Sequence, residues 1–93
     1  MNVFKALNSH MDEIKAKYNV KRIGFFGSYA RHEEKEESDV DVLVEFEKPT
    51  FDNFMELSFY LEDLFGKKVD LLTPNSLSPF MKTSVEKEVV WCE

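Results

Sequence analysis

Two acidic residues interrupt an apolar segment in the middle of the chain. Asp39 and Asp41 alternate with Val40, Val42 and Val44. Because alternate residues of a β-strand point to the same side of the sheet, the valines predict a face that packs into a core, and the two aspartates share the other face. Neighbouring carboxylates repel each other, and ionised carboxylates are costly to bury unless a cation compensates them. The segment therefore predicts a strand that opens with a cation-binding pair of acids.

A third acid lies in a similar setting further along the chain. Asp70 stands alone in the apolar sequence KVDLLT, which is typical of a strand. If this strand lies beside the first, the three carboxylates converge on one place. Hard oxygen ligands of this kind suit Mg²⁺ or Mn²⁺, with water and substrate phosphates completing the coordination. We predict that two of the acids hold metal, and that Asp70 contacts metal and takes a proton from an attacking hydroxyl.

The other half of the predicted site is a glycine-serine pair at the end of an apolar run. Gly27 permits a tight turn after the strand Val20–Phe26, and Ser28 would begin a short helix reaching about Glu34. The free backbone N–H groups at such a helix start attract phosphate, and the Ser28 hydroxyl adds a donor. Arg31 lies within reach of the same anion. Phosphate donors that face metal ligands describe a nucleoside triphosphate held for displacement at phosphorus.

The order of apolar patterns predicts an α/β fold in one domain spanning residues 1–93, with a small mixed sheet flanked by helices. Short polar residues are predicted to begin the helices, and Asn19 and Gly66 to end two of them. The predicted elements, in chain order, are a helix between Asn2 and Asn19, strand Val20–Phe26, a short helix from Ser28 to about Glu34, strand Val40–Phe46, a helix over 51–65 after Thr50, strand 68–73, a helix from Pro79 after Ser78, and a short edge strand near Trp91.

The net charge of −6 is concentrated in one stretch of the chain. Residues 32–47 hold eight acids against Lys35, a local balance of −7, which leaves +1 for the remainder. This distribution argues against direct, non-specific nucleic-acid binding, which needs a basic surface, and it is compatible with a metal or a basic protein partner. No apolar run is long enough for a membrane span, and the first residues lack the pattern of a signal peptide. With Cys92 as the single cysteine, these features predict a cytoplasmic protein.

The spacing Gly-Ser-x10-Asp-x-Asp resembles the signature of the nucleotidyltransferase superfamily that includes polymerase beta. The strings GSYAR and SDVDVLV are similar to those of its minimal nucleotidyltransferase (MNT) group, and the resemblance covers about residues 23–73. It implies that Gly27 and Ser28, helped by Arg31, bind the triphosphate of ATP. It also implies that two Mg²⁺ ions are held by three acids: Asp39, Asp41 and Asp70.

The resemblance to the MNT group implies a partner as well. Such proteins are commonly encoded beside a HEPN-domain ribonuclease toxin and act as its antitoxin by transferring AMP from ATP onto a toxin tyrosine. Two alternatives stay open: an antitoxin that only occludes the toxin, and a nucleotidyltransferase for a small molecule. The acceptor, the nucleotide base, the number of AMP units and the formation of a homo-oligomer also stay open. His32 stands where many relatives have glycine, so the geometry of that turn and its effect on activity are open too.

Overall fold

Two short helices precede the first strand, where the sequence predicts a single one. The computed structural model describes residues 2–92, and in it α1 (Val3–Ser9) and α2 (Met11–Tyr18) are separated at His10. The His10 backbone leaves the helical region with φ −116° and ψ 9°, and its ring Nδ1 hydrogen-bonds the carbonyl oxygen of Ala6 at 2.9 Å. The prediction of one continuous helix is therefore wrong. Apolar residues recur at spacings of three and four along this segment and form an apolar stripe. The stripe stays continuous across the break, since buried residues of both helices belong to one core.

Within residues 2–92, four strands form one mixed sheet in the order β3-β2-β1-β4. Their bounds are β1 (Val20–Phe26), β2 (Val40–Phe46), β3 (Val69–Leu72) and β4 (Val90–Cys92). β1 pairs with β2 and with β4 in antiparallel fashion, whereas β2 and β3 run parallel and are joined by α3 (Phe51–Phe65). A parallel pair needs such a helical crossover, because a tight turn cannot join its strands. The predicted α/β fold with a small mixed sheet is confirmed.

Each face of the sheet packs against helices. The structure has a larger and a smaller hydrophobic core, one on each face of the sheet. In the larger core, residues of α1, α2 and α3 surround the three fully buried valines of β2, which are Val40, Val42 and Val44. On the opposite face, Leu43 of β2 packs in the smaller core with Val85 of α4 (Pro79–Glu88). The predicted apolar face of β2 is thus confirmed. Asp41 alternates with the valines and therefore faces the side of the sheet that α4 covers.

Short polar side chains begin three helices where the sequence predicts them. The N-cap residues are Asn2, Thr50 and Ser78. The side-chain oxygen of each accepts a hydrogen bond from the backbone N–H three residues later. Asn19 and Gly66 end α2 and α3 in the left-handed conformation, with φ of 56° and 64°. A 3₁₀ turn at Pro74–Ser76 is an addition to the predicted elements. Among residues 2–92, no helix is both long and apolar enough to cross a membrane.

The segment after β1 consists of turns, and the short helix predicted from Ser28 to about Glu34 is wrong. A helix needs hydrogen bonds that repeat at a spacing of four residues. The backbone bonds here have spacings of four, three and five residues: Arg31 N–H to Gly27 O at 3.1 Å, His32 N–H to Tyr29 O at 3.3 Å, and Glu33 N–H to Ser28 O at 2.9 Å. His32 also takes a left-handed φ of 57°. Any phosphate donors of this segment therefore belong to a turn.

The predicted short edge strand near Trp91 is confirmed as β4, which approaches β1 closely at Gly24. A Cβ on Gly24 would lie 2.6 Å from the carbonyl oxygen of Val90 and 3.0 Å from Cα of Trp91. Both atoms belong to the backbone of β4, so a larger residue at Gly24 would push the two strands apart. The absence of a side chain at Gly24 thus lets the last strand join the sheet.

Candidate functional site

Strand pairing brings two of the predicted acids side by side. Asp41 of β2 lies directly opposite Asp70 of β3 in the parallel register. Directly opposed residues of neighbouring strands point to the same face of the sheet, so their side chains are neighbours. Neither local sequence determines this pairing, because it depends on the crossover through α3. The structure thus gives the two acids the common location that their strand patterns predict.

The surroundings of Asp41 disfavour its ionised form. Partial burial is the main cause, the negative charge of Asp70 adds to it, and the charges of Asp39 and Glu88 contribute as well. Together they raise the pKa of Asp41 from its usual 3.8 to about 6. A site that gathers carboxylates in this way favours a bound cation, because the cation removes their repulsion.

Asp39 stands at the margin of this acid pair. It lies one residue before β2, and its side chain is exposed. Within residues 2–92, no three side chains of His, Cys, Asp or Glu are already grouped as ligands of one metal ion. The structure therefore brings Asp41 and Asp70 together and leaves Asp39 nearby. Carboxylate oxygens are the donors that Mg²⁺ takes in proteins, so this donor set fits that ion.

The glycine turn touches the acid pair. Gly27 has a φ of 70°, in the region that favours glycine. A Cβ added to Gly27 would overlap Oδ2 of Asp41. The turn backbone thus passes directly against the carboxylate, as expected from the antiparallel register that pairs Phe26 with Asp41. The predicted phosphate-binding turn and the predicted metal-binding strand are therefore adjacent.

A residue that the sequence did not predict completes the site. Glu88 is the last residue of α4, and its Oε1 accepts a hydrogen bond from the backbone N–H of Gly27. The same oxygen accepts from Nη1 of Arg31 at 2.9 Å, while Nε of Arg31 donates to Glu33 at 2.9 Å. Ser28 lies half-buried in this turn. One signal was available, since an acid at the C-terminal end of a helix opposes the helix dipole and calls for a local compensation.

Removing the charge of Asp41 is expected to stabilise the protein without ligands. A pKa raised from 3.8 to about 6 corresponds to about 3 kcal/mol at pH 8, and solvent screening of this partly exposed group reduces the expected gain of Asp41→Asn to about 1 kcal/mol. Because the folded pKa lies above the unfolded one, the charge destabilises the fold as the pH rises from about 4 through about 6. Thermal unfolding in a chelator should therefore show a higher Tm for Asp41→Asn at pH 8.

The matched control for this prediction is Asp63→Asn, which removes an exposed acid on α3. Its effect on Tm should be small at pH 8 and at pH 4.5, since surface substitutions of this kind rarely change stability by more than about 0.5 kcal/mol. At pH 4.5, where Asp41 is protonated, the difference between Asp41→Asn and the wild type should shrink. An Asp41→Asn variant that melts below the wild type at pH 8 would contradict the proposed repulsion.

The sequence as a whole has clear relatives. A model of the family described as nucleotidyltransferase domain matches residues 7–92. The chain belongs to this family. It is 46% identical over 86 residues to protein adenylyltransferase MntA of Thermococcus cleftensis, an alignment that covers 91% of the chain and 87% of that protein. It is also 46% identical over 89 residues to a Methanocaldococcus jannaschii protein named as a candidate protein adenylyltransferase, with 91% and 89% covered.

Solved structures share the fold of this nucleotidyltransferase. A candidate minimal nucleotidyltransferase superposes with a TM-score of 0.80 at 33% identity, over 92% of the chain and 89% of that structure. A toxin–antitoxin complex with AMP-PNP gives 0.73 at 21% identity, with 90% and 70% covered. A tri-AMPylated HEPN toxin of Shewanella oneidensis in complex with its MNT antitoxin gives 0.66 at 19% identity, with 95% and 70% covered. The last two likenesses concern the fold alone.

Proposed function

We propose that this nucleotidyltransferase moves AMP from ATP onto a tyrosine hydroxyl of a HEPN-domain toxin in a Mg²⁺-dependent reaction, and that it acts as the antitoxin. The observation that carries the proposal is the pairing of Asp41 with Asp70 directly beside the Gly27 turn. The names of the relatives, protein adenylyltransferases, support protein as the acceptor. The HEPN toxin complexes among the structures of the same fold support the kind of partner.

Each residue of the site has a proposed role. The backbone of Gly27 and the hydroxyl of Ser28 would bind the triphosphate, because N–H and O–H donors gathered in a turn favour anions. Arg31 would add a positive charge to the same phosphates. Two Mg²⁺ ions would be held by carboxylate oxygens, which are the donors that this ion prefers. The three carboxylates are those of Asp39, Asp41 and Asp70.

The chemical step would be an in-line displacement at the α-phosphorus of ATP. Bound Mg²⁺ would supply charge neutralisation for the triphosphate and for the departing pyrophosphate. Asp70 would take the proton of the tyrosine hydroxyl as the phenolic oxygen attacks phosphorus. A bond forms between that oxygen and the α-phosphorus, the bond from the α-phosphorus to the bridging oxygen breaks, and pyrophosphate leaves. The product is an AMP ester of the tyrosine.

The experiment that tests the proposal measures the mass of the acceptor. The purified protein is incubated with ATP, Mg²⁺ and the HEPN-domain toxin proposed as its partner, and the intact mass of the toxin is recorded. We expect the mass to rise by one or more AMP units and to stay unchanged when a chelator is added. A toxin of unchanged mass under all conditions would contradict adenylyl transfer. Incubation with labelled ATP and a panel of small hydroxyl compounds would then show whether the acceptor is a small molecule.

A further inference from the structure

Two of the three donors assigned to the triphosphate, the N–H of Gly27 and the guanidinium of Arg31, are engaged within the protein itself. Oε1 of Glu88 accepts from the N–H of Gly27 and from Nη1 of Arg31, the latter at 2.9 Å. A carboxylate oxygen and a phosphate oxygen are both anionic acceptors, and they make the same charge-assisted bonds to N–H groups and guanidinium. The carboxylate of Glu88 therefore lies where the proposed function puts a phosphate oxygen.

We propose that Glu88 is an internal competitor of the nucleotide, which occupies the triphosphate position in the resting protein and must be displaced when ATP binds. The inference rests on the proposed function, because it takes the Gly27 turn and Arg31 as the triphosphate site. A protein whose binding-competent state is only partly populated binds its ligand more weakly by that fraction. Glu88 would thus set the affinity of the enzyme for nucleotide.

The position of Glu88 fits a group that can move aside. As the last residue of α4 it lies at the negative end of the helix dipole, and its charge adds to those around Asp41. Both effects repel a negative charge at this place, and the two hydrogen bonds of Glu88 offset that repulsion. When the carboxylate is displaced into solvent, the repulsion is removed together with the hydrogen bonds. The side chains of Glu88 and Arg31 are 29% and 50% exposed, so the carboxylate can turn into solvent. Val85 keeps α4 anchored in the smaller core meanwhile.

The test compares nucleotide binding by Glu88→Ala, Glu88→Gln and a control, Glu86→Gln. Glu86 is an exposed acid on the same helix, two residues from Glu88. Calorimetry with AMP-PNP and Mg²⁺ should give Kd values about 3- to 10-fold lower for Glu88→Ala, since the carboxylate that competes for these donors is gone and its two bonds are weakened by solvent at this partly exposed position. Glu88→Gln should gain less, because its amide oxygen still accepts a bond, and Glu86→Gln should match the wild type.

A second probe separates competition from a general structural effect. Inorganic tripolyphosphate should show the same gain in Glu88→Ala, because the competition concerns phosphate oxygens, whereas adenosine should bind the variant and the wild type alike. Melting curves establish that each variant is folded. If Glu88→Ala is unfolded, the comparison is made with Glu88→Gln, which keeps the shape of the side chain.

The outcomes distinguish this inference from the proposed function. If the wild type transfers AMP but the Glu88 variants bind AMP-PNP no more tightly, the inference is overturned and the proposed function stands. Weaker binding by the variants would likewise overturn it, since Glu88 would then assist the nucleotide. If no protein in the series binds AMP-PNP or tripolyphosphate, both the proposed function and the inference fail.

Discussion

Exchanging both Asp39 and Asp41 for asparagine is expected to reduce AMP transfer by roughly 10³-fold or more. Asparagine keeps the size of the side chain but removes the negative charge proposed to hold Mg²⁺. The fold should persist, because the valines that anchor β2 in the core are unchanged and Asp41 is itself repelled by Asp70. The rate is read from the mass of the toxin over time with ATP and Mg²⁺.

The control for this double variant is Glu56→Gln/Asp63→Asn, which removes two exposed acids of α3 and the same net charge. It should transfer AMP at the wild-type rate. Transfer at that rate by the Asp39→Asn/Asp41→Asn protein would refute the metal-binding assignment. Neutralisation of the proposed toxin partner in cells is a separate readout: if neutralisation survives while transfer is lost, the protein acts by occluding that partner.

Replacing Gly27 by alanine is expected to weaken nucleotide binding by about tenfold or more. The alanine Cβ would overlap Oδ2 of Asp41, so the carboxylate must leave its place beside Asp70. The left-handed φ of 70° adds a conformational cost of about 1–2 kcal/mol for a residue with a side chain. Affinity is measured with AMP-PNP and Mg²⁺, and stability by thermal unfolding.

Gly66→Ala separates the two causes. Gly66 has a similar φ of 64°, but no atom of the described residues lies within 4 Å of an added Cβ. Gly66→Ala should therefore lose as much stability from the left-handed backbone as Gly27→Ala does, but it should keep the nucleotide affinity of the wild type. If both variants bind AMP-PNP as the wild type does, the contact between the turn and Asp41 has no part in the nucleotide site.

The sequence predicted those features that depend on neighbouring residues. The caps at Thr50 and Ser78 follow from one side-chain oxygen and an N–H three residues away. The alternation of Asp41 with buried valines gave the correct face of β2, because a strand has a fixed period of two. The break at His10 was not predictable from the same pattern, because a kinked pair of helices can bury the stripe that one continuous helix would bury.

Features that depend on distant residues were only partly predictable. Asp41 lies beside Asp70 because α3 connects β2 to the neighbouring position in the sheet. The sequence alone therefore predicted that the two acids meet only if their strands are neighbours. Glu88 escaped prediction because 61 positions separate it from Gly27, the partner that explains its presence. The turn after β1 resembles a helix start in composition, yet its hydrogen bonds serve a compact reversal of the chain.

The edge position of β4 has a consequence for how the site opens. In the part of the chain that the structure describes, this strand pairs with β1 alone, over three positions, whereas β1 and β2 share a longer register. A short edge held by few hydrogen bonds unfolds locally at a lower free energy than the whole domain. We expect amide hydrogens of β4 to exchange with solvent faster than those of β2. Such local unfolding would release the C-terminal end of α4, where Glu88 lies two residues before β4, from its place beside Gly27, while Val85 stays in the smaller core and β2 and β3 keep Asp41 and Asp70 paired.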